Sequence, residues 1–296
     1  MRLDTAVPLY DLPLFRPPSE ANSLILQITL GCSHNRCGFC SMYRTKRFRT
    51  VALQQIAGEL QRAREECSPW VPRVFLADGD AMCLSTARLL PVLELVNEAF
   101  PRLQRIGIYA NARDVLRKSD EELRALRARK LKLLYMGLES GDADTLARVD
   151  KGASPEQIVQ AVRRAQAADM RVSVMVLIGL GGKQRSQQHA VASAEAINRM
   201  EPAYTALLTY TPTPGSPLFE ALERGEFELP SPMQSVQEIH TLLSALECKT
   251  YFSCNHASNY VPLKGMLPSA KPALLSALEG AMAGRIGLKP EFLRGL

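Results

Sequence analysis

Short apolar runs alternate with longer amphipathic segments along most of this chain, and no other feature limits its fold so strongly. The runs at 23–30, 73–77, 105–110, 131–138, 171–178 and 204–210 are rich in β-branched and apolar residues. Segments 50–67, 85–99, 119–129, 154–168, 186–199 and 231–246 repeat their apolar residues at helical spacing. Some starts have a local cause: Ser154 precedes Pro155, and Ser119 precedes three acids. Strands alternating with helices imply βαβ units and a parallel sheet. The expected fold class is α/β, a partial (β/α)6 TIM-like barrel over 23–225. A proline-rich irregular arm over 1–22 precedes it. A short irregular C-terminal extension over 226–296, with one further helix at 268–283, is expected to cap the barrel mouth. With 46% hydrophobic and 22% charged residues the chain reads as globular. No run is long and apolar enough for a membrane span, and the first 20 residues lack a signal-peptide core, so a cytoplasmic address is expected.

Ligands of parallel α/β sheets bind at the carboxyl ends of the strands. Here those places are 31–40, 78–81, 111–113, 139–141, 179–182 and 211–216. The first belongs to the loop GCSHNRCGFCSMYRTKRFR, in which Cys32, Cys37 and Cys40 have the spacing C-x4-C-x2-C. Seven cysteines, with no export signal, argue against a disulfide framework, and three within nine residues read as metal ligands. Three thiolates from one loop can hold three corners of an iron–sulfur cube and leave one iron open, with Phe39 beside it. Zinc bound with His34 or a distant histidine is the alternative.

The loop resembles the cluster-binding loop of the radical SAM superfamily, usually C-x3-C-x-aromatic-C. Phe39 fits, and the first spacing is one residue longer. The other strand ends agree in order. Asp78, Gly79 and Asp80 stand where the family has a glycine–glycine–glutamate segment that contacts the amino group of S-adenosylmethionine (SAM). The stretch YMGLESG, with Glu139 and Ser140, looks like a motif shared by oxygen-independent coproporphyrinogen oxidases and methylthiotransferases, facing the SAM ribose and methionine. Lys151 matches a basic residue for the SAM carboxylate. The run VMVLIGLGG, which reaches Gly179, resembles the fifth-strand segment. It has Gly181 in place of a common proline and Met175 in place of an acid, which leaves the ribose to Ser173 or Glu139. Residues 210–218 resemble the sixth-strand exit.

The resemblance implies an enzyme with a 4Fe-4S cluster on Cys32, Cys37 and Cys40. It would cleave SAM to a 5′-deoxyadenosyl radical that takes hydrogen from a substrate. Lys+Arg exceed Asp+Glu by 36 to 30, which favours anionic partners, metabolites and RNA alike, without choosing among them; an anionic small-molecule substrate is the first reading. A flavodoxin or ferredoxin is the expected reductant. Modification of tRNA or protein is the second reading, although neither a three-cysteine N-terminal domain nor a C-terminal RNA-binding β-barrel is recognisable. A non-catalytic zinc or iron–sulfur protein is the third.

Residues 248–264 carry candidate substrate contacts: Tyr251, Cys254, Asn255, His256, Asn259 and Lys264. Cys254 is the candidate hydrogen-atom donor, because its S–H bond is weak, although Cys248 and Cys254 as inert buried thiols are the favoured reading. An auxiliary cluster would need Cys67, Cys83, Cys248 and Cys254 to converge, and their spacing does not suggest it. His189 and His240 are expected on helix surfaces. Arg44, Lys46, Arg47 and Arg49 are expected to form a solvated basic run.

Overall fold

A computed structural model of the chain describes residues 10–66 and 70–295. Among the described residues one sheet holds eight strands and is mostly parallel, in the order β1-β4-β5-β6-β7-β8-β9-β10, so the α/β class expected from the alternation is present. The chain divides into two compact units. One contains 10–35, 42–66, 70–135 and 164–171, and the other contains 36–41, 136–163 and 172–295.

The first unit begins with β1 (Leu24–Gln27), β2 (Thr29–Leu30), β3 (Arg49–Thr50) and α1 (Leu53–Glu66). It continues through β4 (Arg73–Ala77), α2 (Thr86–Ala99), β5 (Arg105–Tyr109), α3 (Ala112–Leu116), α4 (Asp120–Ala128) and the first part of β6 (Leu131–Glu139). Strands β1, β4, β5 and β6 pair in parallel, with Ile25 opposite Phe75, Phe75 opposite Gly107 and Gly107 opposite Leu133. The run expected as one strand over 23–30 is broken at Ile28. Its amide donates to the Ala77 carbonyl at 2.8 Å, after which β2 turns to pair antiparallel with β3. Phe75, Leu76, Ile106, Ile108, Leu89, Leu93 and Leu123 form a core buried between sheet and helices. Helix α4 opens on a capping box: Glu122 N–H donates to Ser119 Oγ at 3.2 Å, and Ser119 N–H donates back to Glu122 Oε2 at 2.8 Å. The helix expected to reach Cys67 ends, in its described part, at Glu66; Cys67 lies outside the described residues.

The second unit follows with α5 (Ala143–Arg148), α6 (Pro155–Ala167), β7 (Arg171–Ile178), α7 (Gly182–Met200), β8 (Tyr204–Thr209), α8 (Pro217–Glu223) and α9 (Pro232–Ala245). It ends with β9 (Tyr251–Cys254), β10 (Leu263–Met266) and α10 (Lys271–Met282). Strand β7 pairs in parallel with β8 and β8 with β9, while β10 returns antiparallel to β9. The C-terminal extension is therefore not irregular: it adds two strands to the sheet edge. They escape a periodicity reading because each is four residues long, and LKGM carries a lysine and a glycine. Helix α7 starts at Gly182, four residues before the expected Ser186; Gly182 takes φ +69°, and a Cβ there would meet the Phe227 ring at 2.7 Å, so the position requires glycine.

Residues 255–261 close over the end of β8. Thr209 N–H donates to Ser258 Oγ at 3.1 Å, Thr209 Oγ1 donates to Asn259 at 2.9 Å, and Asn259 Nδ2 donates to the Leu207 carbonyl at 2.7 Å. The tail holds this segment from outside, with Arg294 Nε donating to the Ser258 carbonyl at 2.7 Å. Among the described residues no helix is long and apolar enough to cross a membrane.

Candidate active site

In the first unit the loop after β2 leaves through Gly31, whose φ is +75°. The Gly31 amide donates to Asp78 Oδ2 at 2.9 Å. That carboxylate is fully buried, and it also receives Gln27 Nε2 at 2.9 Å and Lys46 Nζ at 3.0 Å. Lys46 is thus not part of a solvated run: it is buried, and it also donates to the Pro13 carbonyl at 2.8 Å and pairs with Asp11 at 3.2 Å. Arg47 and Arg49 remain exposed and Arg44 half-buried. The expectation that Asp78 meets the SAM amino group is corrected, because its oxygens face inward and anchor the loop.

Gly79 lets the chain pass close behind Cys32: a Cβ there would lie 2.5 Å from the Tyr43 ring and 3.3 Å from Cys32 Cβ. Asp80 is fully buried and accepts from the Ser33 hydroxyl, with Asn111 and Asp114 also close to its carboxyl group. Burial and the neighbouring Asp114 push its pKa up to about 7. Arg113 Nη2 lies 3.6 Å from Asp80. Neither Arg113 nor Asp114 was singled out as acid–base machinery in the sequence. Asp114 falls one residue beyond the 111–113 segment.

In the second unit the same loop continues through Cys37–Cys40. The Cys40 amide closes a turn on the Cys37 carbonyl at 3.1 Å. Gly38 is gripped on both sides, its N–H donating to the Val149 carbonyl at 2.7 Å and its carbonyl accepting from Leu218 N–H at 2.9 Å. Phe39 packs on Val149, Leu180, Tyr210, Leu218 and Phe227. Lys151 Nζ stands 5.9 Å from the Phe39 ring centre and pairs with Glu139 Oε1 at 2.8 Å. Glu139 closes β6 with φ +60°, a conformation uncommon for a residue with a side chain. Phe39, Glu139 and Lys151 are therefore brought together. Gly137 makes room for the ion pair, since a Cβ there would fall 1.8 Å from Glu139 Oε1 and 2.9 Å from Lys151 Nζ. Gly137→Ala is expected to push the pair apart and to lower stability by about 1–3 kcal/mol, measured as a shift in the denaturant midpoint.

Of the three other expected cofactor contacts, only Ser173 lies away from a strand exit. Ser173 is the third residue of β7, opposite the first residue of β8, so it lies near the amino end of the strand, about 17 Å from its exit. Ser140 is fully buried, with its Oγ 2.7 Å from His189 Nδ1. Gly179, at φ +87°, follows β7 directly and donates its N–H to Glu238 Oε1 at 2.6 Å. His189 is fully buried rather than on a surface, and burial pulls its pKa down to about 4. His240 is half-buried and faces Glu279 at 3.6 Å. Glu238 gave no sequence signal, because a glutamate at that helical position reads as surface.

Cys254 is fully buried on β9, and burial pushes its pKa up to about 12, which keeps the thiol protonated and argues against thiolate chemistry there. Asn259 is engaged with β8, His256 Nδ1 lies 2.8 Å from Ser258 Oγ, and Asn255 and Lys264 are exposed.

Cys32, Cys37 and Cys40 are each half-buried and none is in a disulfide. Among the described residues no three His, Cys, Asp or Glu side chains gather as a single metal ion requires. A cubane spreads its thiolates more widely than one ion does, and three thiols on one anchored loop are the donor type it takes.

A family described as the Radical SAM superfamily matches residues 26–194, more than half of the chain. A probable threonylcarbamoyladenosine tRNA methylthiotransferase of Pyrococcus abyssi is 24% identical over 202 residues, 65% of this chain and 45% of that protein. The chain thus spans less than half the length of the curated relatives it matches. Among solved structures, methylornithine synthase has a TM-score of 0.58 at 17% identity, covering 86% of this chain and 68% of its own. Coproporphyrinogen III oxidase of Escherichia coli has a TM-score of 0.56 at 19% identity, covering 75% and 51%. At these identities the likeness is one of fold.

Proposed function

The chain belongs to the radical SAM superfamily, and from that membership we propose an enzyme that cleaves SAM reductively and acts on an anionic small molecule. Cys32, Cys37 and Cys40 would hold the 4Fe-4S cluster. When bound, the cluster and SAM supply a 5′-deoxyadenosyl radical, which takes a hydrogen atom from the substrate. The chain's own residues bind and orient. Asp80, the acid after β4 that does not bind the Gly31 amide, would accept from the SAM amino group. Glu139 and Lys151 face the methionine end. Phe39 and the apolar residues beneath it exclude water. The supporting observation is the contact of Phe39, which neighbours Cys40, with the Lys151–Glu139 pair.

The exposed arginines Arg36 and Arg47 suit an acidic reductant such as a flavodoxin or ferredoxin. Modification of tRNA is the second reading, favoured by the name of the Pyrococcus abyssi relative. Anaerobic reconstitution tests both, with iron analysis followed by dithionite and SAM. Expected are about four irons per chain and release of 5′-deoxyadenosine. One zinc and a colourless protein would remove the enzyme reading. Product analysis with metabolite extract in one arm and tRNA in another separates the two substrate classes.

A further inference from the structure

A run of buried polar groups joins two strand exits of the second unit. Ser140, just after β6, sits 2.7 Å from His189 Nδ1 on α7. His189 Nε2 lies 3.4 Å from Glu238 Oε1 on α9 and has no hydrogen-bond partner of its own. The same Glu238 oxygen accepts the Gly179 amide at 2.6 Å, and the other accepts the Ser186 hydroxyl. Both side chains are fully buried. Helix α9 lies outside the residues matched to the family.

A carboxylate in such a place costs stability, and an apolar residue of similar volume would serve packing better. Burial pushes Glu238 up to about 7 and draws His189 down to about 4. Asp142 and Arg148 are the other charged groups that act on His189, and Asp142 is held in turn by Arg185 at 2.7 Å. What Glu238 supplies in return is a fixed acceptor for one backbone donor at the strand exit, with the His189 ring packed beside it.

We propose that Glu238 is a positioning residue for SAM: it fixes the Gly179 amide directly and packs against His189, whose Nδ1 meets Ser140 beside Glu139. The inference rests on the SAM-cleaving reading above. The glutamate comes from outside the matched domain, so the C-terminal helices would complete the cofactor site as well as cover it.

The test compares Glu238→Ala and Glu238→Gln with the wild type, all reconstituted anaerobically. SAM cleavage under dithionite is measured beside iron content and hydrogen exchange over residues 177–183. Glu238→Ala is expected to keep its iron, to raise KM for SAM at least about tenfold and to speed exchange at Gly179. The kcat should change little. In Glu238→Gln the amide oxygen still accepts the Gly179 N–H, so KM should return to within about threefold of wild type. A wild-type KM in Glu238→Ala, or equal impairment in both variants, overturns the proposal. If Glu238→Ala does not fold, Ser186→Ala replaces it, with KM and exchange expected to rise together. An unchanged pair of values there overturns the proposal as well. A wild-type protein that releases no 5′-deoxyadenosine sinks the functional reading itself, a result distinct from a normal KM in the variants.

Discussion

Cys37→Ala is expected to lose the bound iron and all SAM cleavage while the fold survives. The reason lies in how the loop is held. Its backbone is gripped at Gly38 by Val149 and Leu218 and at Gly31 by Asp78, and none of these contacts uses a thiol. Removing one sulfur therefore removes a ligand without removing an anchor. Two cysteines cannot replace three in holding a cube with one iron left open. Iron content should fall to background and 5′-deoxyadenosine should be undetectable, with a circular dichroism spectrum like that of the wild type. A Cys37→Ala protein that retains the iron and cleaves SAM would take the ligand assignment with it. Cys254→Ala is the matched control, since that thiol is buried on β9, and it should keep both.

Lys46→Met carries the largest expected effect on stability. Lys46 and Asp78 form an ion pair at 3.0 Å with side-chain exposures of 6% and 0%. Removing the lysine leaves a buried carboxylate facing only neutral donors, Gln27 and the Gly31 amide. Breaking such a pair typically costs about 3–5 kcal/mol, whereas replacing both partners with apolar residues is often close to neutral. The double variant Lys46→Met with Asp78→Leu should therefore recover part of the loss, limited by the donors left without Asp78. The denaturant midpoint is the measurement. A single variant as stable as the wild type would show that the pair does not anchor the loop. Iron loading provides a second readout, because the Gly31 end of the cysteine loop depends on this carboxylate.

The strand–helix alternation was legible because each element buries one face, and burial imposes its period on the sequence. The cysteine spacing was legible because ligand chemistry tolerates few residue types. What lay hidden depended on long-range partners. Lys46 reads as solvent-facing in a basic run, and only Asp78, distant in sequence, makes it a buried cation. Glu238 and His189 sit at positions where helices carry polar residues to water, and only the packing of α7 on α9 buries them. Ser173 failed for a geometric reason: a strand has two ends, and its sequence does not say how far a residue lies from the useful one. Strands β9 and β10 were missed because four residues give too little alternation to register.

Gly31 is fastened by the Asp78 carboxylate and Gly38 by backbone partners, and none of these bonds uses a cysteine. The polypeptide thus carries the mould before it receives the casting. A zinc finger folds only as its ion binds; this loop is instead expected to keep its shape when a chelator strips the iron, with an unchanged circular dichroism spectrum as the measure.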